Sequence, residues 1–187
     1  KGWDTTIISD NLTWAEFSRV NLFLHELQGA QPIVSVARFY KDNSSAHAIG
    51  YVSEISPKDL KTKSYLQNLK IENIAIGKTG LESSLDEQML GSPGYLRYEV
   101  NAYGKKIKQV ATNPGLKGKT FRTTLDQSVQ KLSTEALKDV SGAICVMDIY
   151  NGDIISMVSS PNFNPNSFVH GVSHEEWKKL TENRDKP

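Results

Sequence analysis

The chain has 187 residues and a hydrophobic content of 38%, enough to build a core of ordinary size. Its 22 lysine and arginine residues nearly balance its 21 aspartate and glutamate residues, which excludes binding to nucleic acid or to an anionic membrane by summed charge alone. No apolar stretch approaches the roughly 20 residues of a membrane-spanning helix, and no signal-peptide pattern opens the sequence.

An amphipathic helix is predicted between Thr13 and Gly29. Thr13 and Glu16 form a capping box, and apolar residues recur at helical spacing up to the glycine. Residues 33–40 and 48–52 are rich in β-branched and aromatic types. These two segments are predicted to be strands that pair with each other.

Two more helices are predicted in the first half of the chain. A short one begins after Ser56, which is followed by a proline and then by an acidic residue in the first turn. A longer one begins with a second capping box, Thr79 and Glu82, and ends before Gly91. We expect Lys78 to be exposed at the start of the longer helix.

A hairpin is predicted over residues 95–111, with Gly104 at its turn. The following segment, 112–119, is rich in glycine and contains a proline, which is typical of a linker. The sequence therefore predicts two domains, residues 1–111 and residues 120–187.

The second predicted domain begins with a helix capped by Thr124 and Gln127. A two-residue hairpin turn at Asn151-Gly152 follows, and Ser173 and Glu176 cap a last helix. Both hairpin strands are largely apolar, and strands of this kind need cover on both faces. We therefore expect residues 120–187 to be disordered or to be covered by a second copy of the chain.

The only cysteine, Cys145, lies in an apolar run, where a buried structural role is expected. A single thiol cannot close an intramolecular disulfide.

Three short strings match the motifs of penicillin-recognising enzymes, which are Ser-x-x-Lys, Ser-x-Asn and Lys-Thr-Gly. They are Ser128-Val129-Gln130-Lys131, Ser9-Asp10-Asn11 and Lys78-Thr79-Gly80. Their order along the chain is the reverse of the order in those enzymes, and Ser-x-x-Lys is short enough to arise by chance. A self-contained serine acyltransferase or β-lactamase using Ser128 and Lys131 is thus an alternative, and no catalytic residue is predicted.

No metal or cofactor site is predicted either. His170 and His174 are four residues apart, but Gly171 and Ser173 between them indicate a loop that leads into a helix. The lysines at 105, 106 and 108 follow a hairpin turn, where lysine usually solvates a strand edge rather than binding nucleic acid.

Several strings resemble the N-terminal region of class B penicillin-binding proteins. The stretch from His47 to Val52, the Gly-Leu-Glu that begins at Gly80 and the Leu-Gly-Ser-Pro-Gly that begins at Leu90 resemble the pedestal, or dimerisation domain, of that family. The stretches from Thr124, from Ser141 and from Ser160 resemble the first part of its transpeptidase domain. The residues that carry these family motifs are Gly50, Tyr51, Gly80, Leu81, Glu82, Gly91, Gly94, Asp126, Asp148, Gly152, Pro161 and Asn166.

The resemblance implies an α+β fold: a pedestal domain over 1–111, a linker over 112–119 and the incomplete start of a transpeptidase domain over 120–187. It is nearest to the elongation-specific penicillin-binding protein 2 type, whose nucleophilic serine would lie beyond Pro187. The chain would then be a non-catalytic spacer and interaction region of a peptidoglycan D,D-transpeptidase that acts in cell-wall elongation and rod shape.

The resemblance also implies where the protein acts and what it contacts. The expected partners are a RodA-type glycosyltransferase and an MreC-type scaffold, and a homodimer through the strands of 120–187 is possible. The expected location is the periplasmic face of the bacterial inner membrane, with attachment only through an anchor preceding Lys1, and neither nucleic acid nor a cofactor is expected. A third alternative, an unrelated α+β binding domain, would require the family strings to be accidental.

Overall fold

A computed structural model describes the following residues of the chain: 6–9, 12–32, 37–67, 74–102, 106–169 and 171–182. The chain divides into two compact units, Lys1–Ala37 and Arg38–Pro187. None of the helices in the described residues is long and apolar enough to cross a membrane.

The first unit contains helix α1, Trp14–Leu22, and its predicted capping box is confirmed. The Thr13 N–H donates to Glu16 Oε2 at 2.8 Å, and the Glu16 N–H donates to Thr13 Oγ1 at 3.3 Å. The hydrogen bonds from Thr13 lower the pKa of the Glu16 carboxyl. The helix ends earlier than Gly29 because the Phe23 N–H turns to the Val20 carbonyl three residues back, which tightens the last turn.

The second unit contains seven helices, six strands and one 3-10 helix among its described residues. In chain order they are α2 (Ala46–Ile49), β1 (Val52–Glu54), α3 (Pro57–Thr62), the 3-10 helix (Ser64–Leu66), β2 (Ala75–Gly77), α4 (Gly80–Ser84), α5 (Asp86–Leu90), β3 (Tyr95–Val100), β4 (Lys106–Asn113), α6 (Gln127–Ala136), β5 (Gly142–Met147), β6 (Ile154–Ser160), α7 (Asn166–Val169) and α8 (His174–Glu182).

The predicted pair of strands over 33–40 and 48–52 is wrong where the structure describes it. Residues 33–36 lie outside the described part, and 37–40 are not in a strand. Helix α2 ends at Gly50, whose φ of 83° is readily adopted by glycine, and only then does β1 begin. Strand β1 pairs antiparallel with β2 instead, so that Val52 lies opposite Gly77.

The helix predicted after Ser56 is confirmed as α3, with a capping box between Ser56 and Asp59. The capping box predicted at Thr79 is wrong, because the Thr79 side chain makes no capping hydrogen bond and the Glu82 side chain is used elsewhere. The helix that follows is interrupted at Leu85 and so forms α4 and α5. Lys78 is also not exposed, since its ammonium is paired with Asp59 and only 17% of its side chain is accessible.

The predicted hairpin over 95–111 is confirmed as the antiparallel pair β3–β4, although Gly104 lies outside the described residues. Strand β4 continues to Asn113, into the segment predicted to be a linker. Leu116 in that segment forms a backbone bridge with Ser92, and the Lys119 N–H donates to the Gln88 carbonyl at 2.9 Å. The proposed domain division stays a prediction.

Helix α6 packs on the hairpin β5–β6. The predicted cap of this helix and the predicted length of the hairpin loop are both wrong. The residue that caps α6 is Asp126, which accepts from the backbone N–H groups of Ser128 and Val129, whereas the Thr124 hydroxyl donates to the Ile154 carbonyl. The hairpin loop is longer than two residues, because its closing hydrogen bond runs from the Asp148 N–H to the Asp153 carbonyl. The capping pair predicted for the last helix is confirmed, as the Glu176 N–H donates to Ser173 Oγ at 3.2 Å.

The chain itself covers one face of the β5–β6 hairpin. Val158 and Ser156 on this face are buried beneath α6. The expectation that a second copy covers the hairpin stays a prediction. On the other face, Cys145 lies opposite Met157, and both are exposed. The predicted burial of Cys145 is therefore also wrong, since it would have required cover on both faces.

Candidate functional site

The side chain of Asn166, at the start of α7, is bonded to both backbone groups of Tyr40. Asn166 Oδ1 accepts from the Tyr40 N–H at 2.9 Å, and Asn166 Nδ2 donates to the Tyr40 carbonyl at 2.9 Å. An amide can bond to an extended backbone in the way that a neighbouring strand would. These two bonds connect positions that are 126 residues apart in sequence.

Further hydrogen bonds join the same two parts of the chain. Asn162 Nδ2 donates to the Asn43 carbonyl at 2.6 Å, and His47 Nε2 lies 3.1 Å from the Pro161 carbonyl oxygen. We call the contacts between residues 40–51 and residues 126–168 the joint.

Aromatic rings fill the centre of the joint. Tyr51 stacks on Phe168 with 4.0 Å between ring centroids, and His47 meets Phe163 edge-on at 5.0 Å. Phe163 also meets Phe168 edge-on at 5.7 Å. Burial raises the pKa of the Tyr51 hydroxyl. Edge-on and stacked pairs of this kind stabilise by about 0.5 to 1.5 kcal/mol beyond their buried area.

The buried amide of Gln130 connects three segments of the joint and has no exposed surface. Its Oε1 accepts from Ser156 Oγ at 2.7 Å and from the Met157 N–H at 2.8 Å, while its Nε2 donates to Ser45 Oγ at 2.9 Å. Sequence reasoning missed Gln130, because it lies within the Ser-x-x-Lys string at a position that the motif leaves open.

The carboxylate of Glu82 binds the side chains of Arg38 and Tyr40. Arg38 donates to both Glu82 oxygens at 2.9 Å, and the Tyr40 hydroxyl donates to Glu82 Oε1 at 3.3 Å. Burial, together with the negative charge of Glu82, raises the pKa of Tyr40. Glu82 is only 5% exposed, and burial of an unpaired carboxylate would be strongly destabilising. The ion pair with Arg38 and the hydrogen bond from Tyr40 offset that cost.

Two further carboxylates hold α3 and the 3-10 helix against β2. Asp86 accepts from the Gly77 N–H at 2.8 Å and from the Tyr65 hydroxyl, and it pairs with Lys63 at 3.4 Å. Asp59 accepts from Lys78 and from the Ser56 N–H. Burial acts to raise the pKa of Asp59, but the hydrogen bonds from Lys78 and Ser56 outweigh it and lower the pKa to about 2.

Four of the predicted glycines mark two places where backbone segments touch. A Cβ at Gly50 would overlap the Thr79 carbonyl, and a Cβ at Gly80 would overlap the backbone of residues 48–49. Gly91 and Gly94 lie in the same way against residues 113–118. The Gly50 and Gly80 crossing places α4, and with it Glu82, beside the joint.

The structure brings together half of the predicted family residues and places the others apart. Gly50, Tyr51, Gly80, Glu82, Pro161 and Asn166 surround the joint, while Leu81 lies on α4 next to Glu82. Asp126 caps α6, and Asp148 and Gly152 belong to the hairpin loop. Arg38, Tyr40 and Gln130 belong to the joint or adjoin it, and no local motif indicates them, whereas His47 begins the family stretch from His47 to Val52.

The described residues contain no group of three or more His, Cys, Asp and Glu side chains that could hold a metal ion. His174 is the first residue of α8, and His170 lies outside the described residues. The contacts described above for the site are hydrogen bonds, an ion pair and aromatic contacts.

Comparison with known proteins gives the class to which this arrangement belongs. The family model described as penicillin-binding protein dimerisation domain matches residues 2–123, and the chain belongs to that family. The resemblance predicted from the sequence and the predicted α+β dimerisation domain are thereby confirmed.

The curated relatives include peptidoglycan D,D-transpeptidases named MrdA. The chain is 32% identical over 178 residues to MrdA of Acinetobacter baumannii and 30% identical over 185 residues to that of Escherichia coli K12. These alignments cover 95% and 96% of this chain but only 26% and 29% of the relatives. The chain thus spans less than a third of the length of the relatives it matches.

Solved structures of penicillin-binding protein 2 share the fold. The structure of the Helicobacter pylori protein in complex with MreC has a TM-score of 0.79 and 28% identity, over 96% of this chain and 33% of that one. Pseudomonas aeruginosa penicillin-binding protein 2, in complex with WCK 5153, has a TM-score of 0.63 and 28% identity, over 84% of this chain and 31% of that one.

Proposed function

We propose that this chain is a non-catalytic spacer and interaction region of a serine-type peptidoglycan D,D-transpeptidase that acts in cell-wall elongation and rod shape. In this proposal residues 1–111 form the dimerisation domain, 112–119 the linker and 120–187 the beginning of the transpeptidase domain. The family residues from Gly50 to Asn166 then have a structural role rather than a catalytic one.

The joint is the observation that carries this proposal. The family match ends at residue 123, yet residues 126–168 are bonded to residues 40–51 by Asn166, Gln130, Asn162 and a cluster of aromatic rings. A dimerisation domain held in this way fixes the position and orientation of whatever follows it. That is the property required of a spacer.

The similarity to these relatives supports a proposal for the partners and location of the parent protein. A solved neighbour is a complex of penicillin-binding protein 2 with MreC, and we propose an MreC-type scaffold as a partner here. A RodA-type glycosyltransferase, a homodimer and the periplasmic face of the inner membrane complete the proposal.

Binding to the scaffold is tested by titrating the purified chain with the MreC protein of the same genome in a calorimeter. We expect saturable heat with a dissociation constant below about 100 µM. An unrelated periplasmic protein of similar charge is the control. Equal heats with both proteins would contradict the proposed interaction role.

The alternative nucleophile, Ser128 with Lys131, is not favoured by the geometry. Both residues are exposed on α6, the Ser128 N–H donates to the capping Asp126, and Lys131 Nζ lies 3.8 Å from Asp42. A nucleophilic serine instead needs the lysine amine beside its hydroxyl.

Incubation with a fluorescent penicillin, followed by intact-mass measurement, tests the alternative. We expect no covalent adduct, with a penicillin-binding protein of known activity as the positive control. A stoichiometric adduct that disappears in Ser128→Ala would show that the chain is itself a serine acyltransferase.

A further inference from the structure

The hairpin β3–β4 exposes four aliphatic side chains. Leu96 and Val100 on β3 are 58% and 54% exposed, and Ile107 and Val110 on β4 are 63% and 53% exposed. The two strands form a two-stranded sheet among the described residues, and no third strand is paired with them there. Four largely exposed aliphatic side chains on one short hairpin are more than scattered surface exposure accounts for.

Two irregularities in the pairing supply half of this aliphatic set. Arg97 pairs with Ala111 and Tyr98 with Gln109, which leaves Val110 as an extra residue. The same happens further along β4, where Ile107 is extra between the partners of Glu99 and Val100. Each bulge therefore adds one exposed aliphatic residue to β4 outside the regular ladder.

The hairpin is also strongly basic. Residues 95–113, which form the hairpin, contain four lysines and arginines but one acidic residue, Glu99, a net charge of +3, and Lys117 and Lys119 raise the net charge of residues 95–119 to +5. The whole chain has a net charge of +1, so the other residues together carry −4. Lys108 lies opposite Glu99 in the register, which leaves Arg97, Lys117 and Lys119 among the cations without an acidic residue in their own segment.

The aliphatic and basic character of the hairpin indicates which kind of molecule can bind it. A second copy of the hairpin would bring two segments of net charge +3 together, which like-charge repulsion opposes. A membrane surface would favour apolar residues at the tip, whereas the four exposed aliphatic residues lie along the strands.

We propose that the β3–β4 hairpin is a docking surface for an acidic segment of a protein partner, whose apolar side chains cover Leu96, Val100, Ile107 and Val110. The carboxylates of that segment pair with Arg97 and with the lysines that follow β4. The surface lies apart from the joint, and the inference goes beyond the spacer role proposed above.

A photo-crosslinker at the hairpin tests the proposal in the complete chain. We replace Leu96 with p-benzoylphenylalanine, irradiate the chain in an extract of its source organism, and identify crosslinked peptides by mass spectrometry. The expected product joins position 96 to a peptide that is net negative and contains apolar residues. A synthetic copy of that peptide should then bind the unlabelled chain, with at least tenfold weaker binding in the Ile107→Ser/Val110→Ser variant.

A matched variant separates loss of the surface from loss of the fold. Val140→Ser/Ile149→Ser removes two exposed aliphatic side chains outside the hairpin and should leave peptide binding unchanged. Circular dichroism verifies that both double variants are folded.

Four results would overturn the proposal: a crosslink only to a second copy, a crosslink only to basic or uncharged peptides, no protein crosslink, or equal binding by both double variants. Adsorption of the chain to vesicles of phosphatidylglycerol without a protein crosslink would identify a membrane as the occupant instead. None of these results would alter the penicillin or MreC experiments, so the two proposals fail separately.

Discussion

The side-chain amide of Asn166 forms hydrogen bonds with both the N–H and the carbonyl of Tyr40, as the backbone of a neighbouring strand would. Buried backbone groups without partners are costly, so this single side chain stabilises a segment that belongs to no sheet.

Asn166→Ala should lower the free energy of unfolding by about 2 to 3 kcal/mol, because two backbone groups of Tyr40 lose their partner. Urea denaturation followed by circular dichroism measures this change. Asn162→Ala, which removes one bond to the Asn43 carbonyl, should cost about 1 kcal/mol. Equal losses in the two variants would show that the second bond to Tyr40 contributes nothing.

Hydrogen exchange of the Asn166→Ala variant gives a second measurement of the same contact. We expect faster exchange at Tyr40 and in α7, with unchanged protection in the β3–β4 hairpin, which lies outside the joint. Uniformly faster exchange would mean that the variant loosens the whole unit rather than the joint.

Gln130→Glu should destabilise the chain by about 2 to 4 kcal/mol at pH 7, since it places a carboxylate where an amide donates to Ser45 and has no exposed surface. Burial raises the pKa of such a carboxyl above its unfolded value. Stability is then lost as pH rises above about 4, so acidification toward pH 5 should recover part of it.

The control for this substitution is Gln88→Glu, which changes an exposed side chain on α5. Its effect should remain within about 0.5 kcal/mol at both pH values. If Gln130→Glu behaved like this control, the amide network around Ser156 would not stabilise the fold.

The paired Asp59 should make the chain less stable in acid. Its pKa is lowered to about 2 from an ordinary value of 3.8, so its contribution is complete above 3.8 and is lost as pH falls toward 2. Asp59→Asn should remove roughly 1 to 2 kcal/mol at pH 6 and flatten the decline between pH 4 and 2. Thermal melts between pH 6 and pH 2 measure this dependence of stability on pH. The control is Asp139→Asn, at an exposed position, which should leave the dependence unchanged.

Substitution of two glycines with positive φ separates the free-energy cost of backbone strain from that of steric overlap. Gly50 has a φ of 83° and lies against the Thr79 carbonyl, whereas Gly152 has a φ of 79° and nothing within 4 Å of an added Cβ. Gly152→Ala should cost about 1 kcal/mol for strain, and Gly50→Ala at least about 3 kcal/mol. Similar costs in urea denaturation would mean that the backbone crossing can relax.

Local signals in the sequence predicted local structure well. The caps at Thr13, Ser56 and Ser173 form as expected, because donor and acceptor lie within three residues of each other. The identical pattern at Thr79 fails because Arg38 and Tyr40, more than 40 residues earlier, take the Glu82 carboxylate. A capping pattern cannot indicate a competitor so far away in sequence.

The joint shows the same limit for the candidate site. The family strings identified Gly50, Tyr51, Pro161 and Asn166 as important, but not that they meet. Gln130 gives no signal at all in the sequence, since a glutamine beside Lys131 in a helix resembles an ordinary surface residue. Its role depends on Ser45, which is 85 residues away in sequence.

Cys145 provides a single site for thiol-specific labelling. It is the only cysteine of the chain, and it stands on the uncovered side of the β5–β6 hairpin, opposite Met157. A maleimide dye should therefore label the folded chain at one position without any engineered substitution, because thiol reactivity follows exposure. The labelling rate then reports directly on occupancy of this sheet face: whatever polypeptide comes to lie on it will shield the sulfur, and the slowing of the reaction will measure how completely.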